Sequence, residues 1–131
     1  MAEAAPPPRV VLAEDDDNLR ALLVAALRHF GWEVMPARDG REAIDLTASI
    51  QPDVVLLDVN MPVHDGFEVC RRLRAAGVSV PIVFLSASTS EEQRRRATEA
   101  GADDYLAKPL PLDDLAEVLD GLVSRDGRPA P

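Results

Sequence analysis

Short apolar runs alternate with amphipathic stretches along almost the whole chain, and this alternation constrains the fold more than any other feature. Val10-Val11-Leu12-Ala13, Val54-Val55-Leu56-Leu57 and Ile82-Val83-Phe84-Leu85 carry no polar face, as strands buried on both sides require. Weaker strands read at 33–36 and at Asp104-Tyr105-Leu106-Ala107. Between the first two, Leu19, Leu22, Leu23, Ala26, Leu27 and Phe30 recur at helical spacing until Gly31. Residues 40–50 predict a helix with Ala43, Ile44 and Leu46 inward, broken by Pro52. Phe67, Cys70 and Leu73 define another that ends near Gly77. A polar helix covers 90–100 before Gly101, and Leu112, Leu115, Val118, Leu119 and Leu122 make the last. Five strands alternating with five helices over short connections predict an α/β domain, a doubly wound parallel sheet covered on both faces.

Composition narrows the function. At 131 residues the chain is one domain's worth, and its 47% apolar content supplies a core. The balance of 14 basic against 23 acidic residues leaves a net charge of −9, which opposes direct nucleic-acid binding and attraction to an anionic membrane surface. The single cysteine, Cys70, rules out an internal disulfide and fits a reducing cytoplasm, where it reads as a small packing residue. No apolar run reaches the roughly 20 residues of a membrane span, and the first residues lack a basic-then-apolar leader pattern. Residues 1–8, with three consecutive prolines, and 125–131 read as tails or linker stubs around a domain at 9–124.

Open parallel sheets bind ligands beyond the carboxyl ends of their strands. Here those positions carry Glu14 and Asp15, Asp58, Ser86 and Lys108. Three carboxylates brought together repel one another unless a cation sits among them, and Mg²⁺ takes a few carboxylates while keeping waters. Equally, 14–17 reads as an acidic loop opening the first helix, where negative charge is favoured. Asp16 and Asp17 fit that second reading, and for Glu14 and Asp15 both stand. Lys108 reads either as a solvated side chain or as a partner for Asp58 or a phosphate.

Four ordered stretches carry a resemblance. They are Val11-Leu12-Ala13-Glu14-Asp15-Asp16, Val55-Leu56-Leu57-Asp58-Val59-Asn60-Met61-Pro62 with Asp65-Gly66, Pro81-Ile82-Val83-Phe84-Leu85-Ser86-Ala87, and 101–109 ending in Ala107-Lys108-Pro109. Over roughly 9–123 the chain resembles the receiver domains of bacterial two-component response regulators. The resemblance implies a CheY-like, flavodoxin-like sheet in strand order 2-1-3-4-5, with Asp58 as phosphoacceptor. Glu14, Asp15, Asp58 and the backbone carbonyl of Asn60 would hold Mg²⁺ or Mn²⁺, Asp15 directly and Glu14 through water. Ser86, Ala87 and Lys108 would bind the phosphoryl oxygens, and Tyr105 would turn inward as Ser86 responds. A cis bond would join Lys108 to Pro109. Asn60 and Ser88 would flank the attacking water and tune phosphoryl lifetime. The implied donor is a phosphohistidine on a sensor histidine kinase or histidine phosphotransfer protein in the cytoplasm. The output would be a downstream protein or a C-terminal effector domain beyond the linker, and a dimer through the fourth helix, fifth strand and fifth helix is a further expectation.

The chain departs from the family in places. His64 stands where a small or apolar residue is common, and reads as a partly exposed loop histidine or as an influence on phosphoryl lifetime. Leu110 replaces a common Phe, and the last helix is acidic where relatives joined to winged-helix domains often carry bases. Arg94-Arg95-Arg96 reads as a solvated face or as a partner for Asp103, Asp104 or Asp120 of another copy. Other classes fit less well. An Asp-nucleophile phosphatase wants a second Asp where Asn60 stands. A flavin carrier wants a phosphate-cradling loop where Glu14-Asp15-Asp16-Asp17 would repel phosphate. A degenerate receiver, serving only as a binding module, would lack some of these groups.

Overall fold

The computed structural model describes residues 6–88 and 90–125, the side chains of residues 124 and 125 excepted. Of the two expected tails, 1–5 and 126–131 lie outside the described residues. The elements run β1 (Arg9–Ala13), α1 (Asp17–His29), β2 (Glu33–Ala37), α2 (Gly40–Ile50), β3 (Val54–Asp58), α3 (Gly66–Ala75), β4 (Ile82–Ser86), α4 (Glu91–Ala100), β5 (Asp104–Ala107) and α5 (Leu112–Arg125). The strands form one parallel sheet in the order β2-β1-β3-β4-β5.

Side chains alternate across a strand, so each apolar run feeds two cores. Val10, Leu12, Val54, Leu56, Val83 and Leu85 pack toward Leu23 and Leu27 of α1 and Leu115 and Leu119 of α5. Val11, Val55, Leu57, Ile82 and Phe84 face the other way, onto Ala43 of α2, Phe67, Cys70 and Leu73 of α3, and Ala97 and Ala100 of α4. Four helices start on a side-chain cap three residues ahead of the amide it accepts: Asp16 for α1, Asp39 for α2, Asp65 for α3 and Ser90 for α4. Gly101, at φ 104°, closes α4 in the left-handed conformation.

Periodicity and burial part at α1. Leu22 and Phe30 belong to the apolar repeat yet stand 53% and 44% exposed. Leu23 and Leu27 fill the sheet-facing stripe, Leu22 turns to the flank, and Phe30 caps the helix end against the edge of His29.

Because β1 lies between β2 and β3, the chain leaves β1 for one side of the sheet and later returns to the other. That reversal opens a crevice at the carboxyl ends of β1 and β3.

Candidate functional site

Strand ends place the polar groups. Glu14 follows β1 directly, Asp58 is the last residue of β3, Ser86 the last of β4, and Lys108 follows β5. All three of Glu14, Asp58 and Ser86 are buried. Oxygens of Glu14, Asp15 and Asp58 lie within 4.8 Å of one another, Asp15 being the exposed member. Lys108 Nζ donates to Glu14 Oε1 at 2.9 Å and to Asp58 Oδ1 at 3.3 Å. Three carboxylates thus face one ammonium. At an effective dielectric of about 20, two charges that close repel by roughly 3 kcal/mol.

Burial pushes the Asp58 carboxyl up to about 6, and the charge of Glu14 adds to the rise, while Lys108 opposes it. Burial would lower the Lys108 ammonium. Its hydrogen bond to Glu14 and the charge of Asp58 outweigh that and hold it above the ordinary lysine value.

The carboxyl end of β3 is backed closely. A Cβ on Gly66 would collide with the Asp58 backbone carbonyl and lie 2.7 Å from Phe84 Cε1, so only glycine lets α3 begin there. Arg20 Nη1 donates to the Glu14 carbonyl at 2.9 Å and Nη2 to Asp17 Oδ1 at 2.6 Å, tying the loop after β1 to the first turn of α1. Arg20 was not among the residues expected from sequence, its advance signal being only an Asp and Arg three apart, while Gly66 was quoted in the resemblance without a role.

Ser86 Oγ accepts the Ser88 amide at 3.1 Å, Ala87 is exposed, and Ser88 is half-buried. Asn60 is exposed in the loop after Asp58. The Lys108–Pro109 peptide bond is cis. Tyr105 is buried with its hydroxyl donating to the Ser88 carbonyl at 2.7 Å and lying 3.2 Å from Gln93 Oε1. Phe67, Phe84 and Tyr105 form a row of rings with centroids 5.2 and 6.4 Å apart. The Arg94 guanidinium lies over Tyr105 at 5.0 Å and that of Arg96 over Phe67 at 4.4 Å. Two arginines that read as a solvated face are therefore bound to rings of their own chain. His64 is neither free nor fully exposed, because its Nδ1 lies 3.1 Å from Glu68 Oε1.

The model of the response regulator receiver domain matches residues 10–120. The chain belongs to that family. Among curated relatives, this receiver is 46% identical over 119 residues to response regulator MprA of Mycolicibacterium vanbaalenii, covering 91% of this chain and 52% of that protein. It is 44% identical over 117 residues to MprA of Mycobacterium avium, covering 89% and 51%. The receiver thus spans about half the length of the curated relatives it matches. Among solved structures, the receiver domain of Francisella response regulator 1452 superposes with a TM-score of 0.86 at 32% identity, covering 90% of this chain and 98% of that one. The receiver domain of a Pseudomonas aeruginosa sensor histidine kinase, with a magnesium ion coordinated in its active site cleft, gives 0.84 at 32% identity with the same coverages. Among the described residues, no helix is long and apolar enough to cross a membrane.

Proposed function

We propose that Asp58 accepts a phosphoryl group from a phosphohistidine of a sensor histidine kinase or histidine phosphotransfer protein, in the cytoplasm. The observation that carries this is the convergence of Glu14, Asp15, Asp58 and Lys108 from three strand ends on one crevice. An all-oxygen donor set with surplus negative charge suits a hard divalent cation, so Glu14, Asp15, Asp58 and the carbonyl of Asn60 would hold Mg²⁺ or Mn²⁺. Bound there, the cation would neutralise charge on the acids and on the incoming phosphoryl oxygens.

The residues themselves supply the rest. An Asp58 carboxylate oxygen attacks phosphorus in line as the bond to the donor imidazole, protonated on its other ring nitrogen, breaks and leaves its electron pair on nitrogen, giving an acyl phosphate and a neutral histidine. With its carboxyl at about 6, Asp58 is mostly ionised at neutral pH and needs no general base. Lys108 can release Asp58 to pair with a phosphoryl oxygen while keeping Glu14. The Ser86 hydroxyl can turn its proton toward another oxygen, since among the described residues its oxygen accepts the Ser88 amide. Movement of that loop would be read by Tyr105, whose hydroxyl holds the Ser88 carbonyl, and so by the face built from α4, β5 and α5. Asn60 and Ser88 would tune phosphoryl lifetime, and the output would be a downstream protein or an effector domain of a longer chain.

The test is incubation with acetyl phosphate and Mg²⁺. The wild type should gain one phosphoryl group, mapped to Asp58 by mass spectrometry, and Asp58→Ala should gain none. An unmodified wild type would overturn the proposal in favour of an inert binding module.

A further inference from the structure

We propose that Val63 is the contact through which the phosphoryl-donating protein is recognised at the rim of the acceptor site. The inference rests on the reading of Asp58 as acceptor. Val63 has φ 73°, and the His64 amide donates to the Pro62 carbonyl at 2.9 Å. The two together make Pro62, Val63 and His64 a γ-turn of the strained, positive-φ kind. A β-branched residue is among the worst choices for that conformation, which Gly, Asn or Asp hold more easily. The same side chain is 67% exposed, more than any other large hydrophobic among the described residues. Val63 therefore carries backbone strain and exposed apolar surface without a packing return inside this chain.

The turn is not loose. Before it, Met61 is buried. After it, His64 Nδ1 lies 3.1 Å from Glu68 Oε1, and the His64 carbonyl abuts Gly40 so closely that a Cβ there would collide. The Gly66 amide donates to the Val59 carbonyl at 2.8 Å, closing the loop at its base. A loop pinned on both sides holds its tip in one place, and the tip is an isopropyl group facing solvent.

Position names the occupant. Val63 precedes Gly66 by three residues, so the two Cα atoms are at most about 11 Å apart. Gly66 in turn backs directly onto the Asp58 carbonyl. Val63 and Asp58 thus share the rim where the chain leaves β3 for α3, and a folded donor domain, on the order of 30 Å across, covers that rim when its phosphohistidine reaches Asp58. Acetyl phosphate is too small to touch Val63.

The experiment compares the two donors. The host's histidine kinases are autophosphorylated, and the one that labels the wild-type receiver fastest serves as the protein donor. Val63→Asn relieves the backbone and removes the apolar group, and its melting temperature should equal or exceed that of the wild type. Its labelling by acetyl phosphate should stay within about twofold, while transfer from the kinase should fall about tenfold, the value of one buried valine. Val63→Ile, which keeps an apolar tip, should transfer at the wild-type rate. Equal kinase transfer to Val63→Asn, or a parallel fall with both donors, would overturn the inference. A wild type that acetyl phosphate never labels at Asp58 sinks the underlying reading instead, and the acetyl phosphate arm separates the two failures.

Discussion

Asp58 is held between opposed demands. As the proposed acceptor it must be ionised to attack phosphorus, yet it is only 8% exposed beside Glu14, and both circumstances favour its protonated form. Lys108 offsets part of this cost. Because the folded-state pKa of about 6 lies above the ordinary 3.8, the native state binds this proton more tightly than the unfolded chain does. Asp58 therefore lowers stability increasingly as pH rises from 3.8 to 6, and the whole penalty is present above that window. Without metal, Asp58→Asn should stabilise the receiver by about 1–3 kcal/mol at pH 7. Urea unfolding across pH 4–7 should show this gain shrinking as pH falls through 6. A gain that grew toward acid would contradict the assigned environment.

Among the elements, α4 is the most lightly held. Its buried residues are two alanines, Ala97 and Ala100, where α3 buries Phe67, Val69, Cys70 and Leu73. Its remaining ties to the core include the arginine–ring contacts and a hydrogen bond from Cys70 Sγ to the Ala100 carbonyl. Under the proposed switch, a helix that moves on modification of the site would come from the low-stability end of the fold. The segment beyond α4 is fixed more firmly, largely by Arg74 of α3. Its guanidinium donates to the carbonyls of Gly101, Val78 and Val80 and pairs with Asp103 at 2.8 Å, and Asp103 also accepts the Ile82 amide. Arg74→Met keeps most of the aliphatic stem but strands those acceptors. It should cost about 2–4 kcal/mol in urea unfolding, with Asp58 still labelled by acetyl phosphate. A loss below 0.5 kcal/mol would show that Arg74 is a surface ornament.

At the scale of the molecule, the acid cluster would couple the proposed metal binding to folding, since the three carboxylates meet only in the folded chain. Mg²⁺ at a hundred times its dissociation constant should add about 2.7 kcal/mol to unfolding free energy. EDTA should reverse this, and Asp15→Ala should diminish it; an Mg²⁺ response unchanged in that variant would place the ion elsewhere. The ten elements were legible in the chain because each is written locally: apolar runs of four in the three central strands, apolar spacing of three and four in the helices, and Gly or Pro at their ends. Glu14, Asp58, Ser86 and Lys108 were legible too, because a parallel sheet puts function after its strands and each of them stands there. What was not legible depends on distant partners. Nothing local in Leu22 or Phe30 tells them apart from Leu23 and Leu27, since burial is decided by where the sheet lies. Arg94 and Arg96 become ring partners only once α4 rests over Tyr105 and Phe67. Local chemistry thus determined which segments are strands and helices and which side chains stand at the strand ends. Only the assembled sheet, by bringing residues up to 94 positions apart into contact, decided that Lys108 meets Glu14, that Asp58 is pushed toward 6, and that Val63 is left outside.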